Sequence, residues 1–344
     1  MAEIERLPTI ADVARACGVS MRTVSRVING ARNVKPATRV KIEQEIERLK
    51  FRPNPQARGL AASRSYLLGL VYDMPNALYL DTIQRGITGT CRSSGYELVI
   101  HPCESTGSDT VIADTLSFVR RSNIDGLIVL PPVSEMAALP PALDEAGVDY
   151  VLLASVDLVD PVHLVRSAER LACEDMTRHL IELGHRDIAF ISGPSDYRST
   201  RERLEGFRDA FRAAGLALNE ELILKGDYGY HSGYSAGNAL FSRRQKPTAI
   251  FASNDEMAFG VFNAAAEAGM SVPNDVSVCG FDDVVFAERT LPSLTTIRRP
   301  SLAMASLATE KLIALIEGRD DVANRMQAVV PLELILRNST AARR

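Results

Sequence analysis

The chain has no tryptophan, and its 5 cysteines stand alone. Cys17, Cys91, Cys103, Cys173 and Cys279 are odd in number, widely spaced and form no CxxC pair. That excludes a disulfide framework or a thiolate zinc site as the organising device, and a reducing cytoplasm is expected. None of the 5 histidines falls in an HExxH spacing, so a zinc hydrolase of that kind finds no support. No stretch approaches the ~20 apolar residues that span a bilayer, and Met1–Pro8 lacks the apolar core of a signal peptide. Neither GxGxxG nor GxxxxGK[ST] follows an apolar run. Standard dinucleotide and P-loop phosphate sites are therefore unsupported.

What is present is the balance of an ordinary globular protein, 46% hydrophobic and 24% charged. A chain of 344 residues is too long for one core, which implies two or three domains. The net charge of −4 is unevenly spread. Met1–Ser65 holds 13 Lys and Arg against 6 Asp and Glu, and the remainder 26 against 37. A basic head on an acidic body reads as a polyanion-binding module joined to a part that avoids the polyanion. A merely solvated charged surface is the bland alternative.

The first fifty residues read as short, well-punctuated helices. Thr9 is placed to cap a helix with Asp12 three residues on, and Gly18 breaks it. Ser20 suits the cap of a second helix, Met21–Val27, and Pro36 opens a third with Ile42, Ile46 and Leu49 on one face. Helix, glycine-containing turn, helix is a helix-turn-helix arrangement. In Phe51–Ser65, Pro53 and Pro55 interrupt the third helix, while Asn54 can cap a further one of barely two turns, Gln56–Ala62. Alone in water such a helix is marginal, so the segment reads as a hinge ordered only with partners.

From Tyr66 the pattern changes to strands alternating with helices. Apolar runs at Leu67–Tyr72, Glu97–His101, Gly126–Leu130, Tyr150–Ala154, Ile188–Ser192, Ala249–Ala252 and Val276–Gly280 predict strands. Amphipathic stretches at Tyr79–Cys91, Thr110–Arg120, Glu174–Leu183, Arg201–Ala213 and Asp255–Ala268 predict helices between them. The alternation implies doubly wound parallel α/β sheets, and the length implies two lobes. IDGLIVLPP (124–132) and RDIAFISGP (186–194) are weakly alike, in keeping with two similar halves.

Residues 9–65 closely resemble the DNA-binding head and hinge of the LacI/GalR family of bacterial repressors. The elements are TIADVA, GVSxxTVSRVIN, VKPATRxKI and RPNxxARxLA. IDGLIVLPP, GHRDIAFISGP, RERLEGF, PTAIFASNDEMAFG, GFDD and LTTIRRP follow in the family's order, so the resemblance runs from about Thr9 to Glu333. It implies an all-α head over 8–53, a hinge over 54–65 and a two-lobed body of periplasmic-binding-protein type over 66–340. The first lobe is expected over 66–165 plus 297–327, the second over 166–294 plus 328–340.

The resemblance implies that the second helix enters the major groove of operator DNA, with Met21, Arg22 and Arg26 reading bases. Thr9, Ser20, Thr23, Ser25 and Asn29 carry short groups suited to phosphates, although Thr9 and Ser20 serve equally as helix caps. Val24 and Val27 are expected in the core. Asn54 starts the hinge, Ala57 and Ala61 let two hinges meet, and Leu60 is the minor-groove wedge, simple burial in a linker helix being its alternative. For a small effector between the lobes it implies Tyr72, Asp73 and Asn76 from the first lobe, and Arg203, Tyr228, Asn254, Glu256 and Asp282 from the second. An ion pair of Arg203 with Glu205 or Asp282, and capping by Asn254, are their structural alternatives.

The segment 152–173 departs from the family's spacing, with Ala172 where glycine is common. No leucine heptad follows LILRNST, so a two-fold dimer is expected. The whole reads as a cytoplasmic, nucleoid-associated, non-catalytic transcription regulator with no cofactor or metal. Its effector is a sugar, or in a rival reading a purine or nucleoside. A sugar-binding protein with an incidental basic head is the rival from another class.

Leu60→Ala is expected to reduce operator affinity and DNA bending together while leaving the melting temperature of the free protein nearly unchanged. A circular-permutation bending assay beside thermal melts checks this; a marked drop in melting temperature with bending intact would make Leu60 a core residue.

Overall fold

The computed structural model describes residues 8–28, 33–51, 64–73, 76–103 and 107–343. The chain divides into two compact units, Met1–Tyr66 and Leu67–Arg344. Asn29, Asn54, Ala57 and Leu60 lie outside the described residues.

The head holds α1 (Ile10–Cys17), α2 (Met21–Ile28) and α3 (Pro36–Arg48). The Asp12 carboxylate accepts from the Thr9 backbone N–H and hydroxyl at 2.8 and 2.7 Å, which starts α1. Gly18 ends it at φ 64°, a left-handed conformation that costs glycine little. Ser20 Oγ accepts from Thr23 N–H and starts α2. Val13, Ala14, Cys17, Val24, Val27, Ile42 and Phe51 form the core, joined by Ile46 and Leu49. Because Val24 and Val27 turn one face of α2 inward, Met21, Arg22 and Arg26 are left exposed.

The body is built on two six-stranded sheets. The first contains β1 (Leu67–Tyr72), β2 (Glu97–Pro102), β3 (Gly126–Val129), β4 (Asp149–Ala154), β5 (Leu164–Ser167) and β11 (Val329–Val330). Its order is β11-β5-β4-β3-β1-β2. The second contains β6 (Ile188–Ser192), β7 (Ile223–Lys225), β8 (Ala249–Ala252), β9 (Ser277–Asp282), β10 (Thr295–Arg298) and β12 (Glu333–Ile335), in the order β12-β10-β9-β8-β6-β7. The two orders are the same, so the halves are alike. Yet the similar segments 124–132 and 186–194 hold β3 and β6, which occupy different places in their sheets. All described pairings are parallel except β10 with β12.

The seven long apolar runs all become strands. The strands without such a run, β5, β7, β10, β11 and β12, are two to four residues long, too short for a period to show. Three of them move the lobe boundaries, β5 by carrying Arg166 and Ser167 into the first sheet. Ile297 and Arg298 complete a strand of the second sheet, and Val329-Val330 pair with β5 of the first, because each short segment follows its backbone partners.

The helices are α4 (Ala77–Ser94), α5 (Ser108–Ser122), α6 (Leu139–Glu145) and, in the second lobe, α7 (Glu169–Glu182), α8 (Arg198–Ala213), α9 (Tyr230–Phe241) and α10 (Asp255–Glu267). α11 (Ser301–Ile316) and α12 (Asp320–Arg325) return to the first lobe. In the second lobe, α9 and α10 cover one face of the sheet around Leu240, Met257 and Val261, and α7 and α8 the other around Phe207, Phe211 and Met176. α11 is apolar almost all round, as a buried helix should be. Its Lys311 is fully buried, and the ammonium donates to the carbonyls of Pro161 and Leu164 at 2.7 and 3.1 Å. Among the described residues no helix is long and apolar enough to cross a membrane.

α9 and α10 approach so closely that a Cβ at Gly233 would stand 2.2 Å from the Met257 carbonyl, and one at Gly260 2.3 Å from that of Tyr230. Backbone cannot yield as a side chain can. Gly233→Ala should therefore destabilise the protein by about 1–3 kcal/mol through overpacking, read as a lower urea midpoint at unchanged slope.

Candidate functional site

In sheets of this order a ligand site forms beyond the carboxyl ends of the strands, where the order reverses. The two lobes present those ends to each other, and the cleft between them is lined from nearly every one. Asn76 and Tyr79 follow β1, Pro131 follows β3, and Ala154 and Ser155 end or follow β4. Tyr197, Ser199 and Arg203 follow β6, Tyr228 follows β7, Asn254 follows β8, Asp282 ends β9 and Arg299 follows β10. Glu169, the first residue of α7, completes the lining.

Five of the eight expected effector residues thus share one cleft: Asn76, Arg203, Tyr228, Asn254 and Asp282. Tyr72, Asp73 and Glu256 are not among the residues that line it. Tyr72 is the last residue of β1, and Asp73 meets the second lobe through its carbonyl, which accepts from Tyr197 OH at 3.2 Å. Glu256 lies in the first turn of α10, two residues past the cleft-lining cap.

Arg203 is 3% exposed and already engaged. Its Nε donates to Glu169 Oε2 at 2.7 Å, and Nη1 donates to the Ser253 carbonyl. The guanidinium lies 3.7 Å from the Phe281 ring centroid and 5.5 Å from that of Tyr228, which adds cation–π attraction. Its ion-pair partner is therefore Glu169, neither Glu205 nor Asp282; Glu205 pairs instead with Arg208 at 3.0 Å.

Glu169 joins a second buried cation. Arg299 Nη1 stands 3.5 Å from Glu169 Oε1, while Arg299 Nη2 donates to Tyr79 OH at 3.1 Å. Burial by itself would push the Glu169 carboxyl up. Arg203 and Arg299 outweigh it and hold it below the ordinary carboxylate range. Ser167 Oγ donates to the same carboxylate at 2.9 Å. Neither Glu169 nor Arg299 was anticipated from the sequence. Glu169 lies in the segment that departs from the family's spacing, and Arg299 sits in LTTIRRP, a motif noted for its order rather than its chemistry.

The carboxylate facing them behaves differently. Burial pushes Asp282 up against the pull of Arg203 and Arg299. Behind it, fully buried Asp255 is raised further by burial and by Asp282, and accepts from Thr296 Oγ1 at 2.6 Å and Val284 N–H at 2.9 Å. Asn254 does cap α10, accepting from Met257 N–H at 3.0 Å, and its amide also donates to the Tyr228 carbonyl at 2.8 Å. Asn76 likewise caps α4 through Tyr79 N–H at 2.9 Å.

Local backbone strain gathers here. Tyr228, Asp282 and Asp283 adopt φ of 67°, 110° and 56°, a region that favours glycine. Tyr228 is held by Thr200 and Ser199 on its hydroxyl and by an edge contact with Tyr197. Gly193 makes room for it, since a Cβ there would stand 2.2 Å from the ring. Asp283 is held by Arg298 and Arg337, each at 2.7 Å.

Two further hydrogen bonds among the described residues span the lobes beside the cleft. One is Tyr197 to Asp73. The other runs from the Arg198 N–H, at the start of α8, to Glu135 Oε2 at 2.8 Å, while Ser155 Oγ donates to Glu135 Oε1 at 2.7 Å. A carboxylate at a helix N-terminus is favourably placed, although burial pushes Glu135 up.

Glu169→Gln removes the anion shared by two buried guanidiniums and should cost about 3–5 kcal/mol of stability near neutral pH. A carboxyl held low in the folded state stabilises above its unfolded pKa and loses that contribution as pH falls through the folded value. Urea titrations of both proteins should therefore show a gap that narrows as the pH is lowered through the carboxylate range.

The sequence matches the model of bacterial regulatory proteins of the lacI family over residues 9–54 and that of a periplasmic binding protein-like domain over 177–340. It is 35% identical over 307 residues to catabolite control protein A of Priestia megaterium, covering 88% of this chain and 91% of that one. Among solved structures it is similar to a complex of the transcriptional regulator CelR with cellobiose, at 31% identity and a TM-score of 0.71, over 96% of this chain and 99% of that one. It is also similar to the lac repressor dimer bound to operator and the anti-inducer ONPF, at 27% identity and a TM-score of 0.79, over 98% and 100%. With a helix-turn-helix head, a two-lobed α/β body and full-length relatives of this kind, the chain belongs to the lacI family of transcriptional regulators.

Proposed function

We propose that the protein is a repressor of carbohydrate-utilisation genes that binds a pseudo-palindromic operator as a homodimer. A small hydroxylated effector in the interlobe cleft sets its operator affinity. The observation that carries the effector reading is Arg299, which lines the cleft beside Asp282 and has a buried Nε with no partner among the described residues. A buried donor without a partner costs free energy that a ligand acceptor recovers. Asp282 and Asn254 add polar groups, and Tyr79, Tyr197 and Tyr228 supply flat apolar faces. That mixture suits a sugar ring, which has hydroxyls at its edge and C–H groups on its face. Arg203, clamped by Glu169, acts as a fixed wall and not as a free anion clamp. A neutral polyol therefore fits better than an acidic ligand.

In the head, the exposed Met21, Arg22 and Arg26 are the base-reading residues, and Thr9, Ser20, Thr23 and Ser25 the phosphate contacts. Ser20 caps α2 and Asp12 occupies Thr9, and both roles are compatible with a phosphate nearby. Effector and DNA communicate by the differential affinity of the effector for two arrangements of the lobes, a coupling of typically about 1–3 kcal/mol.

Thermal-shift screening of the full chain against mono- and disaccharides, purines and sugar phosphates tests the effector. A neutral saccharide should raise the melting temperature, and Asp282→Ala should abolish the shift while operator binding persists. A purine acting with every saccharide silent would overturn the reading. For the head, an operator is first selected from randomised DNA. Arg22→Ala should then weaken it by about 1–3 kcal/mol and relax specificity at one position, whereas uniform weakening with a shallower salt slope would make Arg22 a phosphate contact.

A further inference from the structure

The first lobe has a second cluster of chemistry that the cleft does not use. β2 is the edge strand of its sheet; His101 lies near its end and Cys103 one residue beyond it, two positions apart along the same extended chain. α5 packs there and brings Asp114 and Phe118, one turn apart on the helix, against the imidazole. Phe118 stacks on the His101 ring at 4.4 Å and 5°, and Asp114 Oδ2 lies 2.7 Å from His101 Nε2. The ring is thus held in one plane with one nitrogen directed at the carboxylate. Cys103 Sγ completes a group whose ligand atoms all lie within 4.8 Å of one another, the one such group of three found among the described residues.

We propose that His101, Cys103 and Asp114 bind one Zn²⁺ ion, with water at the fourth position. Imidazole, thiolate and carboxylate are all zinc ligands, and a mixed set of three with an open position suits a tetrahedral ion. Zinc–ligand bonds of about 2.0–2.3 Å place donors about 3.3–3.8 Å apart. Closing the cluster therefore needs a movement of about 1 Å, well within side-chain rotation. The nitrogen and oxygen are already closer than that, and the ion would enter between them, replacing the His101–Asp114 hydrogen bond.

Burial pushes the Cys103 thiol up to about 11, and the Asp114 and Asp73 carboxylates push the same way against a hydrogen bond with Thr115. Negative charge beside a buried thiol is unfavourable until a dication is present, when the proton leaves and the same carboxylate becomes a ligand. None of the three residues lines the effector cleft. The site is tied to its rim all the same, because Cys103 N–H donates to the Tyr72 carbonyl at 2.8 Å, next to the Asp73 carbonyl that takes the Tyr197 hydroxyl.

The test is titration of the metal-free, reduced, full-length protein with Co²⁺, whose bond to a thiolate gives a near-ultraviolet charge-transfer band. One equivalent per chain should develop that band with the visible intensity of a four-coordinate ion, and Zn²⁺ should displace it one for one. Cys103→Ser should abolish the charge-transfer band, and His101→Gln or Asp114→Asn should weaken Co²⁺ binding at least about tenfold, at unchanged far-ultraviolet circular dichroism. Absence of the band in the parent protein, or its survival in Cys103→Ser, would overturn the proposal. Should Cys103→Ser fail to fold, unchanged Co²⁺ affinity in both other variants would overturn it equally.

Discussion

Glu169 stands between Arg203 and Arg299, and the two lobes are joined at that point. Its carboxylate is 1% exposed and shared by two guanidiniums that are themselves almost fully buried. Removing three charges from water is costly, and their mutual attraction repays it only when every charge keeps its partners. Those partners come from different places in the chain. Glu169 opens α7 just after the first crossing, Arg203 belongs to α8, and Arg299 lies on the second crossing and reaches Tyr79 in the first lobe. Closure of the cleft, charge balance and the joint are therefore one problem. A ligand that touches Arg299 or Asp282 also disturbs the arrangement that sets how the lobes meet.

The rest of the cleft follows from that constraint. One guanidinium is consumed by the carboxylate and the other is left with a donor to spare, so the cleft holds buried charges without a free anion clamp. The strained backbone at Tyr228, Asp282 and Asp283 is held by Thr200 on one side and by Arg298 and Arg337 on the other. Strain of this kind persists only where surrounding contacts over-determine it. Beside it, the hydrogen bonds Tyr197–Asp73 and Arg198–Glu135 exist only while the lobes are together.

The head obeys simpler physics. Three short helices share a small core of seven buried residues among those described. Val24 and Val27 must face inward, so the arginines at 22 and 26 stand outside, in keeping with the excess of basic residues in Met1–Ser65. The acidic remainder disfavours phosphate and leaves the basic head as the surface for DNA.

Much of this was legible in the residues alone. Helix caps and turn glycines act within a few positions, so Ser20, Gly18 and Asn254 did locally what their types imply. The seven strands with apolar runs needed only those runs. Family motifs also carried Arg203, Asn254, Tyr228, Asn76 and Asp282 to the cleft. Tertiary structure decided the remainder. The partner of Arg203, the place of Arg299 in the site, and the exclusion of Tyr72, Asp73 and Glu256 from its lining all depend on which strand ends meet. The lobe boundaries moved because two- to four-residue strands are specified by their neighbours' backbones and not by a period of their own. Local signals set what each segment becomes, because caps and periodicity act over a few residues. Which side chains share a charge or enclose a ligand is set by long-range packing, to which residues more than a hundred positions apart contribute equally.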